Sequence, residues 1–182
     1  MRHIKIVNSI LLIISIFLIT SCSNNSTMKP EDFKNKEPRL IIEEYLTGNV
    51  KAWGVLQNRS GKVTRQFSAD LDGSWDGKQL ILKEKFNWDD GEIQNREWTI
   101  TKIDENNYEG TAGDVVGKAI GYSYGPAFKF EYVLLVPVKG KEMKITFDDW
   151  IFKQDDRVAI NRATMTKFGI KVAELTVMFV KD

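Results

Sequence analysis

After Gly48 the chain alternates apolar and polar residues with a period of two, and this pattern constrains the fold more than any other feature. Rows of this kind occupy residues 63–72, 80–88, 96–100, 128–136, 143–149 and 172–180. Such alternation is typical of strands that bury one face and expose the other. Turn-forming pairs such as Asp76-Gly77 and Asp90-Gly91 separate the rows, and these residues favour hairpins. The pattern therefore predicts consecutive antiparallel strands.

We predict an all-β fold, an antiparallel up-and-down β-barrel of lipocalin-like type with about eight to ten strands. Closure into a barrel removes exposed strand edges, and a two-sheet sandwich is the alternative. Apolar pairs four residues apart, Ile41 with Tyr45 and Ile42 with Leu46, predict a short helix between residues 31 and 48. The predicted barrel domain, with this leading helix, spans residues 38–182.

The N-terminus has the features of a secreted precursor. Arg2 and Lys5 precede an apolar run over residues 6–19, which is short for a membrane-spanning helix. The segment that ends at Cys22, Ile-Thr-Ser-Cys, resembles the lipobox of bacterial lipoproteins. The resemblance implies a signal peptide over residues 1–21, a diacylglycerol on the Cys22 thiol, and a lipidated cysteine with a flexible tether over residues 22–37. An ordinary signal peptide and an uncleaved anchor helix are the alternatives.

The predicted location is the cell envelope. In enteric-type lipoproteins an Asp after the lipidated cysteine resembles an inner-membrane retention signal, and this chain has Ser23 there. We therefore expect the protein to be held by lipid on the inner leaflet of the outer membrane, facing the periplasm. A protein is anchored stably when its cysteine carries two or more acyl chains.

Several kinds of chemistry are excluded by composition. The single histidine, His3, and the single cysteine, Cys22, both lie in the N-terminal segment. A mature chain that lacks histidine has no histidine general base, no Ser-His pair and no histidine-based metal site. The segment 72–77 begins like a calcium loop, but Lys83 stands where that loop needs a glutamate. We predict no metal and no cofactor.

The net charge also limits the partners. A formal charge of +1 falls to −1 once Arg2 and Lys5 leave with the signal peptide. A nearly neutral domain has no electrostatic reason to bind nucleic acid.

Alternation suggests what lies inside the predicted barrel. We expect a row of large aromatic side chains to point inward: Phe67, Phe86, Trp88, Trp98, Phe130 and Tyr132. Asp149 and Arg162 are expected to form an ion pair inside the barrel. The aromatic residues either line a ligand cavity or merely fill the barrel. The ion pair either anchors the polar end of a ligand or fixes strand register.

The chain resembles an uncharacterised lipoprotein family, domain of unknown function 3833, over nearly all of residues 45–182. The matching segments include 50–54, 73–77, 108–117, 148–150, 154–157 and 161–165. This resemblance implies a lipoprotein and no particular activity. A looser resemblance, to the calycins, pairs a first-strand Trp with an Arg near the last strand, and Trp53 and Arg162 could take these parts. Calycins read Gly-x-Trp there, whereas this chain reads Trp53-Gly54.

The sequence predicts an envelope lipoprotein that binds a lipid or another apolar small molecule through Trp53, Arg162, Asp149 and the inward aromatic row. The alternative is an accessory lipoprotein that binds a protein partner without a ligand. An enzyme that uses carboxylates alone, such as Asp148, Asp149 and Asp155, is the third hypothesis. We expect no enzyme, because no acid/base pair stands out from turn residues.

Replacing Cys22 by Ala tests the anchor. We expect labelled palmitate to enter the wild-type protein but not Cys22→Ala, and the variant to leave the membrane fraction, because the thiol carries the lipid. Equal membrane recovery of the unlabelled variant would contradict the lipobox assignment.

Overall fold

The computed structural model describes residues 28–138 and 140–182, so the predicted signal peptide and Cys22 lie outside the described residues. A 3₁₀ helix, Pro30–Phe33, and one short α-helix, α1 (Ile42–Leu46), precede the strands. The strands are β1 Gly48–Asn58, β2 Val63–Trp75, β3 Gln79–Trp88, β4 Ile93–Lys102, β5 Asn107–Thr111, β6 Ala119–Tyr124, β7 Ala127–Val138, β8 Lys141–Lys153, β9 Val158–Lys167 and β10 Ile170–Lys181.

These ten strands form one closed antiparallel barrel in which each strand pairs with its neighbours in sequence. The last strand returns to the first, and the β1–β10 pairing runs from Val50 opposite Lys181 to Asn58 opposite Ala173. The prediction of an up-and-down barrel with a short leading helix is confirmed. Closure satisfies the backbone of both terminal strands, which would otherwise be open edges.

The two ends of the barrel differ. One end is sealed by α1, whose Ile42, Tyr45 and Leu46 side chains are buried in the core. The carbonyl of Leu46 rests on β2 at Gly73, where an added Cβ would come within 1.8 Å of that oxygen. Tyr45 Oη donates a hydrogen bond of 2.9 Å to the Arg157 carbonyl. The opposite end carries the hairpin turns after β1, β3, β7 and β9, and it has no covering helix among the described residues.

In the segment before the barrel the helix is short, as predicted. It covers five residues, and before it Leu40 is extended, with its N–H donating to the Gly125 carbonyl. Part of the segment assigned to the tether is also packed on the barrel. Phe33 in the 3₁₀ helix lies 6.0 Å from the ring of Trp150 and 5.5 Å from that of Phe152.

Aromatic rings lie over glycines on nearby strands of the barrel wall: Gly54 pairs directly with Phe67, and Gly110 is two strands from Phe130. A Cβ atom added at Gly54 would lie 2.3 Å from Phe67 Cζ, and one added at Gly110 would lie 2.4 Å from Phe130 Cζ. Eight-stranded barrels are just wide enough for side chains to fill, so a ten-stranded barrel needs large side chains. Glycine on the wall lets those rings lie flat against the backbone.

The wall has one weak place, between β4 and β7. β5 and β6 are the shortest strands, and they reach only the half of the barrel nearest α1. In the other half the loop 112–118 takes their place, where Val116 N–H donates to the Val133 carbonyl at 2.8 Å. Leu135 N–H donates to the Asp114 carbonyl at 2.9 Å. The loop thus completes the wall with only a few backbone hydrogen bonds.

Within the described ranges, neither helix is long and apolar enough to span a membrane.

Replacing Gly110 by Ala tests the close approach of the aromatic ring. Phe130 cannot withdraw, since rings of Trp98, Phe128 and Tyr132 surround it. We expect Gly110→Ala to lower the free energy of unfolding by about 1–3 kcal/mol, as overpacking does, measured by urea denaturation. Gly113→Ala is the matched control, because an added Cβ there meets no atom within 4 Å. Equal stability of the two variants would show that the interior accommodates the extra methyl group.

Candidate functional site

Burial changes along the inside of the barrel. Near α1 the inward side chains are sealed, as with Leu80 at 0% and Phe128 at 1% exposure. Towards the open end, inward side chains that pack on the core remain partly exposed: Phe86, Trp88, Val136, Met143, Met165, Val172 and Leu175. The interior is therefore filled in one half and accessible from solvent in the other.

A cluster of charged side chains lies at the boundary between the two halves. Glu84 on β3 and Arg96 on β4 are direct partners in the strand register, and both side chains point inward. Arg96 donates through Nε and Nη2 to the Asp114 carboxylate, with Nη2 at 2.8 Å from Oδ2. Arg96 Nη1 lies 3.9 Å from Glu84 Oε2, in a pair whose side chains are 14% and 12% exposed.

A second part of the cluster comes from the other side of the barrel. Asp149 on β8 accepts a hydrogen bond of 2.8 Å from Tyr132 Oη. It accepts another from Asn161 Nδ2, which also donates to the Trp150 carbonyl at 3.1 Å. The structure therefore joins Asp149 to neutral partners on β7 and β9.

The electrostatics of the cluster are dominated by burial. Burial raises the pKa of Glu84 to about 7, although the Arg96 guanidinium opposes the shift and the Asp149 charge adds to it. Burial also raises the pKa of Asp149, against the hydrogen bonds from Asn161 and Tyr132 that lower it. Desolvation lowers the pKa of Arg96, but Glu84 and Asp114 outweigh it and hold the pKa above the ordinary value. The cluster holds two carboxyl groups beside one guanidinium, and a third carboxyl group, Asp149, on neutral partners.

Aromatic rings form the wall above the cluster. The ring of Phe67 lies 5.2 Å from that of Phe86 and 4.9 Å from that of Trp88. The Arg65 guanidinium sits 4.0 Å above the Trp88 ring, and it is paired at the rim with Asp90 and Glu92. The open half is thus an aromatic funnel with a polar floor.

The structure brings together most of the residues that the sequence singled out. Phe67, Phe86, Trp88, Trp98, Phe130 and Tyr132 all point inward as predicted, and Trp98 lies 5.2 Å from Phe130 and 5.3 Å from Tyr132 between ring centroids. Asp149 is also inside. The expected Asp149–Arg162 pair is wrong, because Arg162 points outward, is 66% exposed and pairs with Glu174 at 3.3 Å.

Trp53 is the other misplaced residue. It lies on the outer face of β1 and is 46% exposed, so the Trp53–Arg162 arrangement suggested by the calycin resemblance does not form inside this barrel. Trp53 stands opposite Met178, which stands opposite Ile160, and these three form an exposed apolar row across β1, β10 and β9. Because Arg162 shares the outer face of β9 with the apolar Val158 and Ile160, alternation alone assigned it to the inside.

Glu84, Arg96 and Asp114 were not predicted as site residues. A signal was present for two of them, since Glu84 interrupts an apolar inward row on β3 and Arg96 shares a face with Trp98 and Ile100 on β4. A charged residue in such a row is rarely buried without a partner. Asp114 lies in a loop without periodicity, and only the fold brings it to Arg96.

Two depressions lie along the strands of the wall. One, of about 560 Å³, is lined by charged outward residues of β2, β3 and β4, such as Asp72, Lys83 and Glu97, and it also touches Glu84 and Arg96. The other, of about 400 Å³, lies beside Trp53 and Met178. Among the described residues, no three carboxylate, histidine or cysteine side chains are grouped to hold a metal ion.

Comparison with known proteins gives a family and a fold. A family model described as a protein of unknown function, DUF3833, matches residues 16–181. No curated protein matches the chain. Among solved structures, an S-type phycobiliprotein lyase, CPES, from Guillardia theta is similar with a TM-score of 0.58 and 10% identity, over 77% of this chain and 90% of that one.

A second similar structure is a protein of unknown function from the DUF3598 family of Nostoc punctiforme. Its TM-score is 0.60 at 16% identity, over 81% of this chain and 51% of that one. At these identities the likeness shows the barrel fold alone.

Matched arginine substitutions test the cluster. We expect Arg96→Met to lower the free energy of unfolding by about 3–5 kcal/mol, because it leaves the buried Glu84 and the half-buried Asp114 without their cation. Arg162→Met, the control on the outer face, should change it by no more than about 0.5 kcal/mol. Thermal and urea denaturation of both variants measures the free energy of unfolding. If Arg162→Met were the more destabilising variant, Arg162 rather than Arg96 would be the buried arginine.

Proposed function

The chain belongs to the DUF3833 family, and we propose that it is an envelope lipoprotein that binds a small, largely apolar molecule in the open half of its barrel. The role is binding rather than catalysis, and the site is the aromatic funnel with its polar floor. A family of unknown function supplies no ligand, so the proposal rests on the residues of this chain.

The observation that carries the proposal is the contrast between the two halves of the interior. Leu80 and Phe128 fill the half near α1 completely, whereas Phe86, Trp88 and Met165 in the other half stay partly exposed. Ligand sites combine apolar and aromatic walls with a few convergent polar groups. Glu84, Arg96, Tyr132 and Asp149 are such groups, and they lie below the funnel.

The predicted anchor supports a role at a membrane. With lipid on Cys22, residues 23–32 would separate the anchor from Phe33, which packs on the barrel at Trp150 and Phe152, so the barrel would stay close to the bilayer surface. An apolar compound that partitions into lipid would be concentrated there. The proposed location remains the periplasmic face of the outer membrane.

One observation favours the alternative of an accessory protein that binds a partner. The row of Trp53, Met178 and Ile160 exposes apolar side chains on three adjacent strands, and exposed apolar patches mark interaction surfaces. The alternative predicts that hydrogen exchange at β1 and β10 slows in native membranes relative to the purified protein. Unchanged exchange there would remove its support.

Two matched methionine substitutions test the proposed site. Met165 points into the funnel and Met178 points outward from the next strand. We expect indole to shift the ¹⁹F resonances of 5-fluorotryptophan at positions 88 and 98 in the wild-type protein and in Met178→Trp. Met165→Trp should abolish the shifts, because the larger ring fills the funnel.

The experiment uses the full-length protein in nanodiscs, with the outer Trp53 and Trp150 as internal controls. Shifts that persist in Met165→Trp, or that appear only at Trp53 and Trp150, would contradict the interior site.

A further inference from the structure

The polar floor contains a hydrogen-bond acceptor with no partner. Among the described residues, two buried side-chain polar atoms lack a hydrogen-bond partner, Glu84 Oε2 and Arg65 Nε. Arg65 lies at the rim, where its Nη2 already binds Asp90 and Glu92. Glu84 Oε2 lies deeper, 3.9 Å from Arg96 Nη1 but without a hydrogen bond, and a buried acceptor without a hydrogen bond is destabilising. The floor therefore offers an acceptor to a ligand that can donate.

The charges inside the barrel also favour a ligand that donates hydrogen bonds. The Arg96 guanidinium is engaged by Asp114 through two nitrogens, and its third, Nη1, faces Glu84 at 3.9 Å, so a ligand carboxylate would have to compete with Glu84 for it. Glu84, Asp114 and Asp149 outnumber it, and at the rim two acids again surround one arginine. An anionic ligand such as a fatty acid would enter against this charge, whereas a cation would relieve it.

The walls accept positive charge as well. Arg65 stacks on Trp88 at 4.0 Å, and the Arg96 guanidinium lies 6.0 Å from the Phe86 ring centroid. Faces of aromatic rings attract cations, more strongly where water is excluded. The funnel is thus suited to an apolar body that carries an ammonium group.

We propose that the ligand of this site is a protonated organic amine with an aromatic or aliphatic body, whose ammonium group donates to Glu84 at the floor of the funnel. This inference rests on the proposed function and names its ligand class. It disfavours an anionic amphiphile, because the interior arginine is hydrogen-bonded to Asp114 and the buried group without a hydrogen bond is a carboxylate oxygen.

Binding of the amine should depend on pH in a definite direction. The groups that face Glu84 are Arg96 from β4, Asp114 from the loop 112–118, Tyr132 from β7 and Asp149 from β8. Because the pKa of Glu84 is raised to about 7, an ammonium ligand must displace its proton at lower pH. Affinity should therefore rise about tenfold from about pH 6 to about pH 8 and then level off.

Three ligands of the same size separate the possibilities: 2-phenylethylamine, 2-phenylethanol and phenylacetate. Each is titrated into the 5-fluorotryptophan-labelled full-length protein in nanodiscs, with Trp88 and Trp98 as reporters. We expect the amine to bind at least about tenfold more tightly than the other two at pH 8, since a charge-assisted hydrogen bond is about twice as strong as a neutral one. Glu84→Gln should remove both the preference and the pH dependence.

Glu97→Gln, an exposed neighbour of Arg96 on the outer face of β4, is the control and should behave as wild type. If phenylacetate or 2-phenylethanol binds as tightly as the amine at Trp88 and Trp98, the amine inference is overturned and the proposed function stands. If the amine gives no shift while indole does, the inference is likewise overturned. If neither these three compounds nor indole reaches the interior, the proposed function fails.

Discussion

A ten-stranded barrel closed by pairing of β1 with β10 encloses an interior that the chain must fill or leave accessible, and every other feature follows from this. Near α1 the interior is filled by rings that lie against glycine, such as Phe130 over Gly110. Interiors packed in this way resist change in volume. Towards the other end the rings line the wall instead, and the floor between the two halves is polar. The boundary between filled and accessible interior therefore defines the site.

The fold was predictable because its signals are local. Alternation with a period of two and turn residues between the rows are read from neighbouring residues, and they indicated consecutive antiparallel strands. The inward aromatic residues, from Phe67 to Tyr132, were predicted for the same reason. Alternation states which residues share a face, but it does not state which face is inside. On β9 the outer face carries Val158 and Ile160, while Ala159, Asn161 and Ala163 point inward, so Arg162 was misplaced.

The polar cluster was not predictable because it is assembled across the fold. The pairing of Glu84 with Arg96 depends on the register of β3 against β4, and Asp114 comes from the loop that replaces β5 and β6 in the wall. No periodicity marks such a loop. The one usable signal was a charged residue among apolar inward residues. The strand pairing was needed to show that Glu84 and Arg96 meet.

The cluster is an unfavourable way to fill the interior, and this bears on its role. Buried ion pairs are often replaced by apolar side chains without loss of stability, and the other half of this barrel is filled in that way. Here Glu84 and Asp114 share one guanidinium, and the pKa of Glu84 is raised to about 7 as a result of burial. Arg96 also holds Asp114, and with it the loop that closes the weak place in the wall. Glu84 and the loop residue Asp114 therefore depend on the same guanidinium, so a change of charge at Glu84 would change the hold of Arg96 on the loop.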